Sequence, residues 1–498
     1  MALNLVAPAG PLVSTCLWVT GVGLLLRNRR SVLVGTSWAE VLGGLFALLI
    51  ALFWYQSPQA VYDSGLYYLQ TIRWMTEHSL RLGLANLHSR LAYNSVWFAF
   101  AAAVELPLLS GHSSAFVNIL PMVLVSALAG VGFKRLTGAG RRFGDAALAL
   151  LFPVVGHAVG GLGAASTDQS AELLVSLALA LWVGALGSED EEFPPQALPA
   201  AYVTLLAVLV KLSVVPLIAI AILAIFSRRR ALSLPWAVRL AVPGAIAFAL
   251  WIGRSVLLSG CFAYPIAWTC VTTLPWSLPA RLAGQEAIWI RSWARIPKLP
   301  PDQVLADWSW LRIWAANMGV RSDIRMFGAT LLAGSLLTAS ARPTCRPLWI
   351  ALGVALLGIA YVFLTAPDPR FAFGFLHAVG LLPIAYTLSR LRRSWSPPLS
   401  TLALTALGGL TLCWAEIGFV PTEWRADGVA FPRPPTPALV QRVSETGYRV
   451  WTPAQGYQCW DAPLPCTPYF SPDLSYDGVM YRQPSAPERT TSAEEPSR

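Results

Sequence analysis

Residues 199–230 read PAAYVTLLAVLVKLSVVPLIAIAILAIFSRRR. Up to Phe226 the stretch carries a single charge, Lys211, and it closes on Arg228, Arg229 and Arg230. A bilayer core of about 30 Å takes about 20 apolar residues in a helix rising about 1.5 Å each. The stretch is therefore long for one pass and short for two. Short basic runs stay on the cytoplasmic side, so a chain that ends on SRRR must enter and leave by the same face. Two half-passes joined near Lys211 and Ser213 satisfy this, with Pro216 as the break because it lacks an N–H and crowds the preceding turn. The Lys211 ammonium then belongs at the far, outer face.

The rest of the chain follows the same grammar. Of 498 residues, 55% are hydrophobic and 12% charged, about half the charge of a soluble domain. The fold class implied is an all-α polytopic membrane protein. Apolar stretches suited to about 12 passes fall at 10–26, 38–57, 115–133, 144–162, 170–187, 199–211, 213–226, 235–258, 325–340, 348–366, 371–390 and 398–416. The net charge of +10 sits mostly in the short runs RNRR (27–30), KRLTGAGRR (134–142), SRRR and RLRR (390–393), where positive-inside topology accounts for it. It implies no nucleic-acid partner. Seven cysteines are too sparse for a disulfide scaffold. The first ten residues carry no Lys or Arg, so the first apolar stretch reads as a retained helix. If 94–110 lies in the interface as a surface helix, every basic run faces the cytoplasm. The polar mass then collects outside, in loops 58–114 and 259–322 of a membrane module spanning 1–416, and in a C-terminal region 417–482. The tail 483–498 has a disordered composition. The expected location is a bacterial inner membrane, with the long loops and the C-terminus periplasmic.

Four outer positions attract attention. Asp63 follows the second pass and precedes a segment in which Leu66, Leu69, Ile72 and Met75 keep helical spacing. Its plain role is a helix N-cap, and its functional role a catalytic carboxylate at membrane depth. Asp168 starts another pass, with Ser166 and Thr167 as rival caps and Glu172 in the first turn. Lys211 is costly in an apolar stretch unless it snorkels or pairs. Arg370, in Asp368-Pro369-Arg370-Phe371, serves a tight turn or holds a phosphate. Loop 259–322 carries seven of the 21 Trp, suited to an interfacial belt or a platform for sugar rings. Cys459 and Cys466 are close in sequence on the oxidising side, which predicts a disulfide; Cys261 and Cys270 allow a second. Asp63 with His78 or His88 has no diagnostic metal spacing. Phosphate-loop, HExxH and GxSxG motifs are missing from the sequence.

The order of these features resembles the GT-C membrane glycosyltransferases that use polyprenyl-phosphate sugar donors, such as protein O-mannosyltransferases and aminoarabinose transferases. Asp63 matches their acidic residue and Leu66-Tyr67-Tyr68 the start of their first interfacial helix. Tyr93–Leu109 matches the second interfacial helix and Ser110-Gly111 the turn after it. Ser166-Thr167-Asp168 and Lys211 match later family positions, over roughly 38–260 in all. Ser64 stands where the family often has a second acid. The segments YDSGLYYLQTIRW, LGLANLHSRLAYNSVWF, PDPRF and QCWDAPLPCTPY are similar to those of a group of bacterial multi-pass membrane proteins.

The resemblance implies transfer of a sugar from a lipid-linked donor to an envelope acceptor on the outer face. Asp63 would be the catalytic base, with Asp168, Lys211, Arg370, Tyr67 and Arg90 binding the substrate and its phosphate, and a divalent cation as a possible helper. A transporter or flippase for a lipid-linked or anionic substrate, and a non-catalytic envelope scaffold, are the readings from other classes.

Overall fold

The computed structural model describes residues 1–29, 36–53, 61–105, 117–138, 142–188, 194–227, 229, 232–341, 345–390, 407–415 and 434–483. The Ser110-Gly111 turn, the acidic run after Ser188, most of 391–433 and the tail beyond Gln483 lie outside these residues. The described chain is mostly helical. In order come α1 (Pro11–Arg27), α2 (Trp38–Phe53), α3 (Leu69–Glu77), α4 (Val96–Val104), α5 (Ile119–Thr137) and α6 (Phe143–Gly160). Then follow α7 (Thr167–Leu186), α8 (Ala197–Val210), α9 (Ile218–Ser227), α10 (Leu234–Ser259) and α11 (Ala280–Trp293). The last are α12 (Trp310–Val320), α13 (Ser322–Ala341), α14 (Arg346–Thr365), α15 (Phe373–Arg390) and α16 (407–415). Five of them, α5, α6, α7, α10 and α14, are long and apolar enough to cross a membrane. Helices α1, α2, α8 and the segment Leu212–Ser227 are apolar but shorter.

Helix α7 is the hub, because its sequence is apolar nearly all round, the mark of a central helix. Leu173, Ala178, Leu179, Trp182 and Val183 are fully buried, and the Trp182 indole donates to Thr204 Oγ1 of α8 at 2.9 Å. Helix α8 runs antiparallel to α7 and delivers Lys211 to the Asp168 end. There the backbone turns extended at Lys211 (φ −152°, ψ 121°), and a 3-10 turn, Leu212–Leu217, carries Pro216. Helix α9 then runs back, so that Ser227 Oγ accepts from Arg346 at the start of α14, 3.3 Å away. The chain thus reverses at Lys211, as the proline and the basic run require.

This geometry gives the bundle two unlike ends. Arg27, Lys134, Arg135, Arg346 and Arg390 lie at one end of their helices. Asn118, Asp168, Lys211 and Arg370 lie at the other. Over that second end sits an outer layer built from 61–95, 260–321 and 434–483. Its core joins Trp74, Leu84, Leu87, Leu91, Leu258, Tyr264, Leu278, Val450, Leu474 and Tyr481. The C-terminal part adds two small antiparallel pairs, β1 (Leu439–Val443) with β2 (Arg449–Pro453), and β3 (Ser475–Tyr476) with β4 (Tyr481–Arg482). At nine residues α4 is about 13 Å long and cannot span a bilayer.

One expectation needs amending. The helix after Asp63 begins as a π-turn, Ser64–Tyr68, before α3. Leu66, Leu69, Ile72 and Met75 are buried as their spacing predicts, but Gln70 and Thr71 on the other face are buried too. The C-terminal region is the cause. Gln70 Nε2 donates to the carbonyls of Trp460 and Ala462 at 3.0 and 2.9 Å, and Gly65 O accepts from Trp460 N at 2.9 Å. Gly65 makes that approach possible, since a Cβ there would lie 2.6 Å from the Trp460 ring.

Candidate functional site

Asp63 lies in helical backbone (φ −64°, ψ −17°) and its side chain caps nothing. The carboxylate turns sideways between two guanidiniums. Oδ1 is 3.9 Å from Arg90 Nη1, and Oδ2 is 3.8 Å from Arg370 Nη1. Hydrogen bonds between such groups run about 2.7–3.2 Å. Asp63 is therefore held by charge at distances longer than a hydrogen bond, and its side chain keeps 20% of its exposure.

Asp168 is freed from capping in a different way. Ser166 Oγ takes the cap role, accepting from Asp168 N at 3.2 Å. The Asp168 carboxylate then pairs with Lys211 Nζ through Oδ1, and Oδ2 lies 3.6 Å from Arg370 Nη1. The turn before α15 aims Arg370. Asp368 Oδ1 accepts from Arg370 N at 3.1 Å, while Asp368 Oδ2 meets Arg370 Nε at 3.1 Å. Aromatic faces flank both cations. The Arg370 guanidinium is 5.1 Å from the Trp293 ring centroid and 5.0 Å from that of Phe371, and Lys211 Nζ is 4.1 Å from the Phe371 centroid. Ser95 anchors the Lys211 corner by donating to Val210 O at 2.8 Å.

Arg90 is clamped by a residue that sequence reasoning missed, Glu286 of α11. Arg90 Nε is 3.3 Å from Glu286 Oε1, Ser89 Oγ donates to Oε2 at 2.8 Å, and the Tyr93 hydroxyl donates to Oε1. Burial works against the Arg90 charge, but Tyr93, Glu286 and Asp63 outweigh it and hold its pKa above the ordinary value. Burial, reinforced by Glu286, pushes the Tyr93 phenol up and keeps it a hydrogen-bond donor. Tyr67 is buried behind Asp63, edge-on to Tyr68 and Tyr93 with centroids at 4.6 and 5.3 Å. It shapes the wall more than it offers a surface.

The result is a line of alternating charge: Glu286, Arg90, Asp63, Arg370, Asp168, Lys211. Five of the six singled-out residues stand in it, and Tyr67 lies directly behind. The line presents cationic donors on both sides of one carboxylate, an arrangement suited to an anionic group with a hydroxyl beside it. A divalent ion shared by Asp63 and Asp168 fits poorly, because the Arg370 guanidinium already lies between them. His78 and His88 form no ligand group with Asp63. Burial, with Arg90 beside it, pushes the His88 pKa down to about 3. Cys459 and Cys466 are disulfide-bonded, as are Cys261 and Cys270.

Fold and site together define a helical bundle, with helices apt to cross a bilayer, that carries a charged, aromatic-walled site at the end opposite Arg27, Lys134, Arg135, Arg346 and Arg390. The chain matches the family described as Domain of unknown function (DUF8201) over residues 2–377, and it belongs to that family. That span ends just past Arg370 and takes in every residue of the charged line. Searches of curated proteins and of solved structures return no match.

Proposed function

We propose that the chain is a GT-C-like glycosyltransferase of about 12 passes in a bacterial inner membrane, working on the outer face. It takes a sugar from a polyprenyl-phosphate donor and places it on an envelope acceptor. One observation carries the reading: the Asp63 carboxylate stands between Arg90 and Arg370 at 3.9 and 3.8 Å, without a capping duty. With no hydrogen bond closed between them, the guanidiniums are able to turn to a phosphate oxygen and the carboxylate to an acceptor hydroxyl. In the transfer, the acceptor oxygen bonds to the anomeric carbon as the bond to the donor phosphate breaks. Asp63 takes the hydroxyl proton as general base. Arg370 and Arg90 hold the departing phosphate, with Lys211 adding a point charge. Trp293 and Phe371 supply faces for the sugar or the first prenyl unit.

The test is a glycan and glycolipid mass profile of the native host. A deletion strain is complemented with wild type or with Asp63→Asn at matched protein levels. Loss of a sugar-sized mass that wild type restores and Asp63→Asn does not is the expected result. Full restoration by Asp63→Asn overturns the reading in favour of transport or scaffolding.

A further inference from the structure

Beneath the charged line lies a second polar group. Glu172 follows Asp168 by four residues on α7, so it sits on the same face about 6 Å deeper. His157 of α6 and His377 of α15 converge on it. His157 Nδ1 is 2.7 Å from Glu172 Oε1, and His377 Nε2 is 2.9 Å from the same oxygen. The donor atoms of the three residues all lie within 4.8 Å of one another. Their exposures are 5%, 2% and 1%, so the group is sealed from solvent.

An aromatic box encloses it. The His157 ring lies edge-on to Phe373 at 4.6 Å and to Trp414 at 5.1 Å. The His377 ring is 4.7 Å from Phe327 and 4.9 Å from Trp414. An isolated carboxylate in such surroundings is expensive, and buried carboxylates are paired or bind metals. Here two consecutive helices and a third about 200 residues later each spend a buried polar residue on one point. Two imidazoles and a carboxylate that can bind through both oxygens supply four donors. That number and that mix of N and O suit zinc and its first-row neighbours.

We propose that His157, Glu172 and His377 bind one divalent transition-metal ion of the zinc class. The ion sits between the two nitrogens and Glu172, each neutral imidazole ligating through its lone pair and carrying its proton on the other ring nitrogen, Nε2 of His157 and Nδ1 of His377. It crosslinks α6, α7 and α15 one turn below Asp168, and so fixes the spacing of Asp168 on α7 from Arg370 in the turn just before α15. The closed box makes the site structural, with no coordination position left for substrate. The proposal is independent of the transfer reading.

The experiment uses the full chain, untagged, in detergent. After chelation and desalting it is titrated with Co2+ and Zn2+. Metal content, the visible Co2+ bands and metal-edge X-ray absorption are recorded for wild type, Glu172→Gln and His377→Gln. The expected result is about one equivalent on wild type, with two imidazole nitrogens in the first coordination sphere. Both variants should bind at least ten-fold more weakly. Bound metal should raise the Tm of wild type alone. If a variant does not fold, the wild-type spectrum decides by its count of imidazole scatterers. Metal uptake by wild type no greater than by Glu172→Gln, or a spectrum without two imidazoles, overturns the proposal. The triad is then a hydrogen-bonded strut.

Discussion

Asp63 and His88 lie in the same outer loop and make opposite use of charge. Asp63 stays partly open between two guanidiniums, and replacing it with Asn keeps its shape while removing the base. On the transfer reading, Asp63→Asn should lower turnover by about 10²- to 10⁴-fold, the usual worth of a positioned base. The protein should still fold, and donor affinity should be kept or raised because a negative charge has gone. A turnover assay with separate kcat and KM checks this; an unchanged kcat removes Asp63 from the chemistry. His88 is buried against the Tyr469 ring and kept neutral, with its pKa pushed down to about 3. Unfolded histidine titrates near 6.5, so between pH 6.5 and 3 the unfolded chain binds the extra proton. Folding therefore loses stability as pH falls through that window, by at most about 5 kcal/mol at its lower end. Tm measured from pH 7.5 to 4 should decline below pH 6.5, and His88→Gln should flatten the decline. The charged line was largely legible in sequence, because Asp63, Asp168, Lys211 and Arg370 each interrupt or border an apolar stretch. Glu286 was not, since its pairing with Arg90 spans 196 residues and leaves no local pattern. The buried triad left a signal that could have been followed: Glu172, His157 and His377 are the kind of intramembrane polar residues that default to function.

At the scale of elements, helix pairing depends on small residues that the hydrophobic pattern does not single out. Helices α2 and α5 pack so closely that a Cβ on Gly130 would land on the Ala39 carbonyl, and one on Gly43 would land on that of Ser126. The Ser126 hydroxyl adds a bond to Gly43 O at 2.7 Å. This is the close approach that small residues permit between helices in lipid. Gly130→Val should force the pair apart at a cost of about 1–3 kcal/mol. A lower Tm in detergent should show this, whereas Gly353→Ala on α14, where a Cβ meets nothing within 4 Å, should leave Tm unchanged or slightly raised. Equal Tm values for the two variants would mean that α2 and α5 are not in tight contact. The reversal at Lys211 was readable for a plain reason: a proline and a basic run constrain the chain from two sides. The cover over α3 was hidden because its partner, Gln458–Cys466, lies almost 400 residues away and is stitched on through backbone carbonyls.

For the whole molecule, two independent features bear on which end faces which compartment. Arg27, Lys134, Arg135, Arg346 and Arg390 lie at the helix ends remote from the site, and the positive-inside rule favours the cytoplasm for short basic runs of this kind. The cysteines divide the same way. The bonded pairs Cys261–Cys270 and Cys459–Cys466 belong to the outer layer, whereas Cys345, beside Arg346 at the basic end, is free. Disulfides persist on the oxidising side of a membrane and thiols on the reducing side. On the proposed topology both features agree with Asp63 and the C-terminal region lying outside. Labelling in intact cells tests this once Cys16, Cys345 and Cys413 are replaced by Ala. A cysteine at Val479, which is exposed in the turn between β3 and β4, should react with a membrane-impermeant maleimide. A cysteine at the exposed Lys134 of α5 should react only after the cells are permeabilised. The reverse pattern would turn the molecule over in the membrane. It would put the charged line in the cytoplasm and both disulfides in a reducing compartment, and a lipid-linked donor on the outer face could not reach Arg370.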